Sequence, residues 1–173
     1  MRYTSEFLSK ALESVKDTPS AALPSIDLYM DQVITMLNKG KSEDNTVTKT
    51  MINNYRKQDI IKELDGKKYS REHLIQLLLI LQLKTTLTIS EIEQVLSVLY
   101  QMPQDDHHLK ACYDEFLDTM PKMQMTMSDM CESLLPQKQD GFDTLTSLLI
   151  LSRMEQYIQN MAKTLVQDLF PEE

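Results

Sequence analysis

The chain is expected to be all-α: a basic helical module carrying one small β-hairpin, followed by a carboxy-terminal helical layer. Three observations predict this. Only three glycines and six prolines occur among 173 residues, which leaves few of the breakers that a strand-and-turn protein needs. Apolar residues recur three and four apart over most of the length. Capping residues stand at the starts of several such stripes.

Taken in order, Phe7, Leu8, Ala11, Leu12 and Val15 predict a short amino-terminal helix, closed by the proline-containing stretch 17–24. Met30, Val33, Ile34 and Leu37 form the stripe of a helix over 26–38, which ends at Asn38-Lys39-Gly40. After a polar, turn-prone stretch at 40–45, Thr48 is placed to cap a helix through Lys57 whose inner side carries Met51, Ile52 and Tyr55. Asp65-Gly66 is a turn signal between two short arms, 60–63 and 67–69, and so predicts the hairpin.

Ser70 is the expected cap of the next helix, with Leu74, Leu77, Leu78 and Leu81 buried along one side. Thr88-Ile89-Ser90-Glu91 and Ser90-Glu91-Ile92-Glu93 each fit a capping box for the helix that Pro103 closes. Then come a helix over about 106–120, a methionine-rich segment at 121–135, a break at Pro136 and Gly141, and a last helix over 143–170. Leu151, Met154, Ile158, Met161, Leu165 and Leu169 share one side of that helix, a dimer or domain interface. The parts are residues 1–25, a module at 26–102, and an association or effector region at 103–173.

The net charge of −8 conceals a reversal. Residues 39–71 hold nine of the 18 basic side chains against five acidic ones, a local +4, which leaves −12 on the other 140 positions. Such polarity suits a module that meets a polyanion. Two cysteines are too few for a disulfide framework, and neither a signal-peptide core nor a long apolar run is present, so the expected setting is cytoplasmic.

The run from Val47 to Lys57, Val-Thr-Lys-Thr-Met-Ile-Asn-Asn-Tyr-Arg-Lys, resembles the second helix of bacterial MerR-type regulators, which reads roughly V-S-x-x-T-L-R-Y-Y-E-R. Gly66-Lys67-Lys68-Tyr69-Ser70 is similar to that family's wing exit, and Leu87-Thr88-Ile89-Ser90-Glu91-Ile92 to its F-S-L-E-E-I. Asn53 stands at the family's arginine, Asp59 at its glycine, and the 39–46 connection is longer than a tight helix-turn-helix one. The chain also resembles a bacterial family of unknown function built on the same Met-Ile-Asn-Asn-Tyr and Lys-Tyr-Ser-Arg-Glu-His-Leu runs, over about residues 20–150.

The first resemblance implies a winged helix-turn-helix regulator of transcription that binds double-stranded DNA as a homodimer. Lys49, Thr50, Asn53 and Asn54 would face a groove, where asparagine can pair with adenine and lysine with guanine. Arg56, Lys57, Lys67, Lys68 and Arg71 would hold phosphates. Tyr55 and Tyr69 match tyrosines that position backbone or core. The competing expectation is a non-enzymatic interaction module whose basic unit takes an acidic protein.

Two other constellations stand out. His108 and Cys112, four apart, with His107 or Cys131, could face a metal, yet Cys112 reads more simply as a small buried side chain and no ligand cluster has a recognised spacing. Met120, Met123, Met125, Met127 and Met130 could wall a pocket for a small apolar effector, though core filling is the simpler role. No nucleophile elbow, paired carboxylate or cofactor fingerprint occurs, so neither enzyme chemistry nor a cofactor is expected.

Overall fold

The computed structural model describes residues 10–12, 22–39, 46–101, 108–136 and 141–170. The expected amino-terminal helix, the linker at 17–21, the loop at 40–45 and His107 lie wholly or mainly outside them. The protein is mostly helical, with one small antiparallel sheet: β1 (Leu28–Tyr29), α1 (Met30–Leu37), α2 (Lys49–Lys57), β2 (Lys68–Tyr69), α3 (Arg71–Leu83), α4 (Ile89–Gln101), α5 (His108–Leu134) and α6 (Gly141–Leu169). Two compact bodies are formed, one by residues 18–114 with 166–173 and the other by 1–17 with 115–165.

In the first body, α1 begins at Met30, the first residue of its stripe and four residues after the expected start at 26, because Leu28 and Tyr29 are drawn into the sheet. Leu28 pairs with Tyr69 and Tyr29 with Lys68. The expected hairpin is therefore corrected: the partner of 68–69 is the strand before α1, and 60–63 form no strand. The Leu28–Tyr69 pair is buried, so pairing these two residues removes apolar surface from water as well as satisfying backbone groups. Gly66, at φ +69°, makes the expected turn, a conformation that glycine adopts without steric cost.

Asn38, the residue that ends α1, closes the long connection to α2. Its side-chain amide donates to the Val47 carbonyl at 2.9 Å and accepts from the Val47 N–H at 2.7 Å. One side chain thus acts as a strand partner for a buried residue, and the two ends of the loop are tied together. Thr48 then caps α2, its Oγ1 accepting from the Met51 N–H.

The core of this body is Val33, Ile52, Leu74, Leu77, Ile80 and Ile92, all without solvent exposure. α3 is buried on more sides than a single stripe implied: His73, Ile75 and Gln76 are inside with Leu74 and Leu77, whereas Leu78 and Leu81 are half-buried. Of the two possible boxes, the first opens α4. The Thr88 N–H donates to Glu91 Oε2 at 2.7 Å, and the Glu91 N–H donates to Thr88 Oγ1 at 3.3 Å.

α5 merges what the sequence divides in two. Pro121 lies inside one 27-residue helix, exposed, with methionine, lysine and glutamine around it to sustain the helix past the missing N–H. Leu109 and Tyr113 take the inner positions, which leaves Cys112 exposed rather than buried; Cys131 is the buried cysteine. In the second body Cys131 and Leu135 form a small cluster with Met127 and Ile150. Among the described residues no helix is long and apolar enough to cross a membrane, and no group of His, Cys, Asp or Glu has the placement to hold a metal.

Candidate functional site

An open groove of about 670 Å³ lies between α2 and the loop that follows it, lined by Thr50, Asn53, Asn54, Arg56 and Lys57 on one side and by Asp59, Ile61, Lys62, Glu63 and Leu64 on the other. The first wall follows from helical geometry. With Ile52 and Tyr55 turned into the core, residues 50, 53, 54 and 57 fall on the opposite side, three and four apart. Two carboxamides, a hydroxyl and the Lys57 cation are therefore presented together, with Arg56 also lining the groove.

Of the expected contact residues, Thr50, Asn53, Asn54, Arg56 and Lys57 meet in the groove. Lys49, Lys67 and Lys68 are exposed but do not line it. The Lys68 ammonium stands 5.4 Å from the centre of the Tyr29 ring. Tyr55 and Tyr69 are buried, at 6% and 1% exposure, so their part is to position backbone and core; Arg71 is half-buried. Burial pushes both phenols up, and for Tyr69 the Arg56 guanidinium beside it pulls the other way through charge and a hydrogen bond. That contact orients Arg56 at the groove edge.

The turn out of α2 explains the second wall. The Asp59 N–H donates to the Arg56 carbonyl at 3.2 Å and the Ile60 N–H to the Tyr55 carbonyl at 3.0 Å, with Asp59 at φ +54°. These are the two bonds of a Schellman ending, completed by the buried pair Tyr55 and Ile60. This position thus requires a left-handed conformation, and aspartate is among the few residues besides glycine that tolerate it.

Beyond Asp59, the loop has no strand to bond it, and side chains of α3 and α4 take that role. The Tyr100 hydroxyl donates to the Ile60 carbonyl at 2.8 Å, and the Lys62 N–H donates to Gln76 Oε1 at 3.1 Å. The His73 Nε2 lies 3.3 Å from the Glu63 carbonyl oxygen. At the other side of the ring Nδ1 receives the Ser70 N–H at 3.1 Å, so the ring proton belongs on Nε2, which donates to Glu63. The Lys62 ammonium is bound to Glu72 at 2.7 Å and stands 5.3 Å from the centre of the Tyr100 ring. Burial first, and Glu72 second, push the Tyr100 phenol up.

Little in the sequence pattern marks these supporting residues. A signal for His73 existed in Ser-x-x-His at a helix start, where the ring substitutes for the usual glutamate of a capping box. Gln76 and Tyr100 gave none, since their partners lie 14 and 40 positions away.

Taken as a class, the module is a helical unit with a capped, exposed helix beside a braced loop. The chain belongs to a family of domains of unknown function, DUF1836, whose profile matches residues 18–116. No curated protein and no solved structure matches it.

Proposed function

We propose that the module binds double-stranded DNA and that the protein regulates transcription, with α2 serving as the reading helix of a MerR-like winged helix-turn-helix. The observation that carries this reading is the groove wall of Thr50, Asn53, Asn54, Arg56 and Lys57 on α2, exposed except for the half-buried Asn53. Carboxamides can pair bidentately with adenine, and cations that flank them hold phosphates and give affinity. Lys67 and Lys68, on the turn and strand after the loop, act as the wing and grip backbone charge alongside. α6 serves association as a homodimer: Leu151, Ile158, Met161 and Leu165 are exposed on one side, spaced as in a helix pair. The methionine-rich part of α5 is the place for a small apolar effector.

One observation bears on a second reading, an interaction module for an acidic protein. Asp59 and Glu63 stand in the groove, and Lys62 is already paired with Glu72, which disfavours a continuous phosphate backbone more than a protein surface whose carboxylates are sparser.

Fluorescence anisotropy with a random-sequence duplex at two salt concentrations separates the two. DNA binding predicts micromolar or tighter affinity that weakens as salt rises. Changing Lys67 and Lys68 together to alanine should then weaken binding to all sequences and flatten the salt dependence by about two units of slope. Absence of binding at low salt would remove the DNA reading and leave the interaction module.

A further inference from the structure

The loop that forms the second groove wall is held by side chains of neighbouring helices rather than by a strand. Ile60, Lys62 and Glu63 each give a backbone group to a side chain from α3 or α4, namely Tyr100, Gln76 and His73. Gln76 is fully buried, and while its Oε1 accepts from Lys62, its Nε2 has no partner. A buried donor without a partner lowers stability, so this arrangement is not the one that would maximise it. An apolar side chain of similar volume could fill the space but would leave the Lys62 N–H without its partner, whereas the directional contacts hold the loop in one conformation. What the network fixes are Ile61 to Leu64, which face Thr50, Asn53 and Asn54 across the groove.

We infer that His73, Gln76 and Tyr100 are positioning residues for base choice: they set where Glu63 and Leu64 stand opposite Asn53 and Asn54, and hence which base edges the groove admits. This rests on the DNA reading. None of the three lines the groove, so the effect passes through the loop. A carboxylate held beside two carboxamides accepts from an exocyclic amine and repels a phosphate, so a shift of the Glu63 backbone changes what Asn53 and Asn54 can pair with.

The test uses the full chain and Tyr100→Phe, which keeps the ring beside Lys62 and removes only the hydroxyl donor. Two measurements are made well below the melting temperature. Amide hydrogen exchange at Lys62 reads the loop without DNA, and selection from a randomised duplex library reads base preference. The wild-type Lys62 amide should be protected, and Tyr100→Phe should speed its exchange about three- to tenfold, the size of one lost hydrogen bond. The variant should retain the outer positions of the selected motif, relax the central ones and keep the wild-type salt slope, because no phosphate-binding cation has changed. A residue that merely supported the fold would lower the melting temperature and select the same motif. An unprotected Lys62 amide in the wild type, or an unchanged motif from a variant whose loop exchanges faster, overturns the inference. If the wild type enriches no sequence, the DNA reading fails together with this role, and the exchange result at Lys62 shows whether the brace itself exists.

Discussion

The two bodies of the chain use similar side chains to opposite ends. In the body around residues 18–114, short elements turn nearly every large aliphatic inward, so that Ile52, Leu74, Leu77 and Ile92 have no exposure. In the body around 115–165, α6 leaves Phe142, Leu145, Leu148, Leu149 and Leu165 exposed, Phe142 at 77%, and of the α6 residues in this body only Ser147 is buried. A helix of 29 residues, about 43 Å long, offers more apolar surface than its own chain covers. Hydrophobic periodicity tells that a helix has a side to bury and does not tell what buries it. A closed core and an unpartnered seam look alike until the fold is known.

The contrast can be broken most directly by one substitution in each body. Leu77→Ala should destabilise the protein by about 2–5 kcal/mol, the cost of a core cavity, whereas Leu148→Ala, at 59% exposure, should stay within about 0.5 kcal/mol. Urea unfolding followed by circular dichroism reads both. Equal losses would mean that Leu148 is covered in solution and that the seam is already occupied.

The next effect sharpens the comparison by asking how far the first body depends on side chains that bond to backbone. Asn38→Ala removes both bonds to Val47 and leaves a buried N–H and carbonyl without partners. A loss of about 1–3 kcal/mol is expected in thermal unfolding. Asn38→Asp, which keeps the acceptor and loses the donor, should fall between the wild type and the alanine variant.

What the sequence made legible follows the range of the interactions. Thr48, Ser70 and Thr88 announce helix starts because a cap and its partner are three residues apart. The all-helical character followed from composition and period, both local properties. The pairing of the sheet is not legible locally, because Lys68 and Tyr69 pair with Leu28 and Tyr29 about 40 residues away, and nothing local distinguishes that partner from the nearer arm at 60–63. The merged helix α5 escaped because Pro121 is a strong local stop, overridden by favourable neighbours on either side. At the site, the α2 wall was readable in part: Thr50, Asn53, Asn54, Arg56 and Lys57 line the groove, whereas Lys49, expected beside them, does not. The opposite wall was not, since Asp59, Ile61, Glu63 and Leu64 owe their places to Tyr100, Gln76 and His73, residues remote in sequence.

The smallest effect concerns the residue where those two walls meet. Asp59 holds φ at +54° to complete the ending of α2, and a residue with a Cβ pays for that conformation in a way glycine does not. Asp59→Gly should therefore raise stability by about 0.5–1 kcal/mol, less the entropy that glycine adds to the unfolded chain, or a few degrees in melting temperature. The same change removes a carboxylate from the groove. If the groove meets phosphate, affinity for random duplex should rise with stability; if it receives an acidic protein, affinity for DNA should stay absent while the melting temperature still rises. A lower melting temperature would mean that the Asp59 carboxylate makes a contribution larger than the backbone strain it accompanies, and the Schellman account of this turn would have to yield to one centred on that side chain.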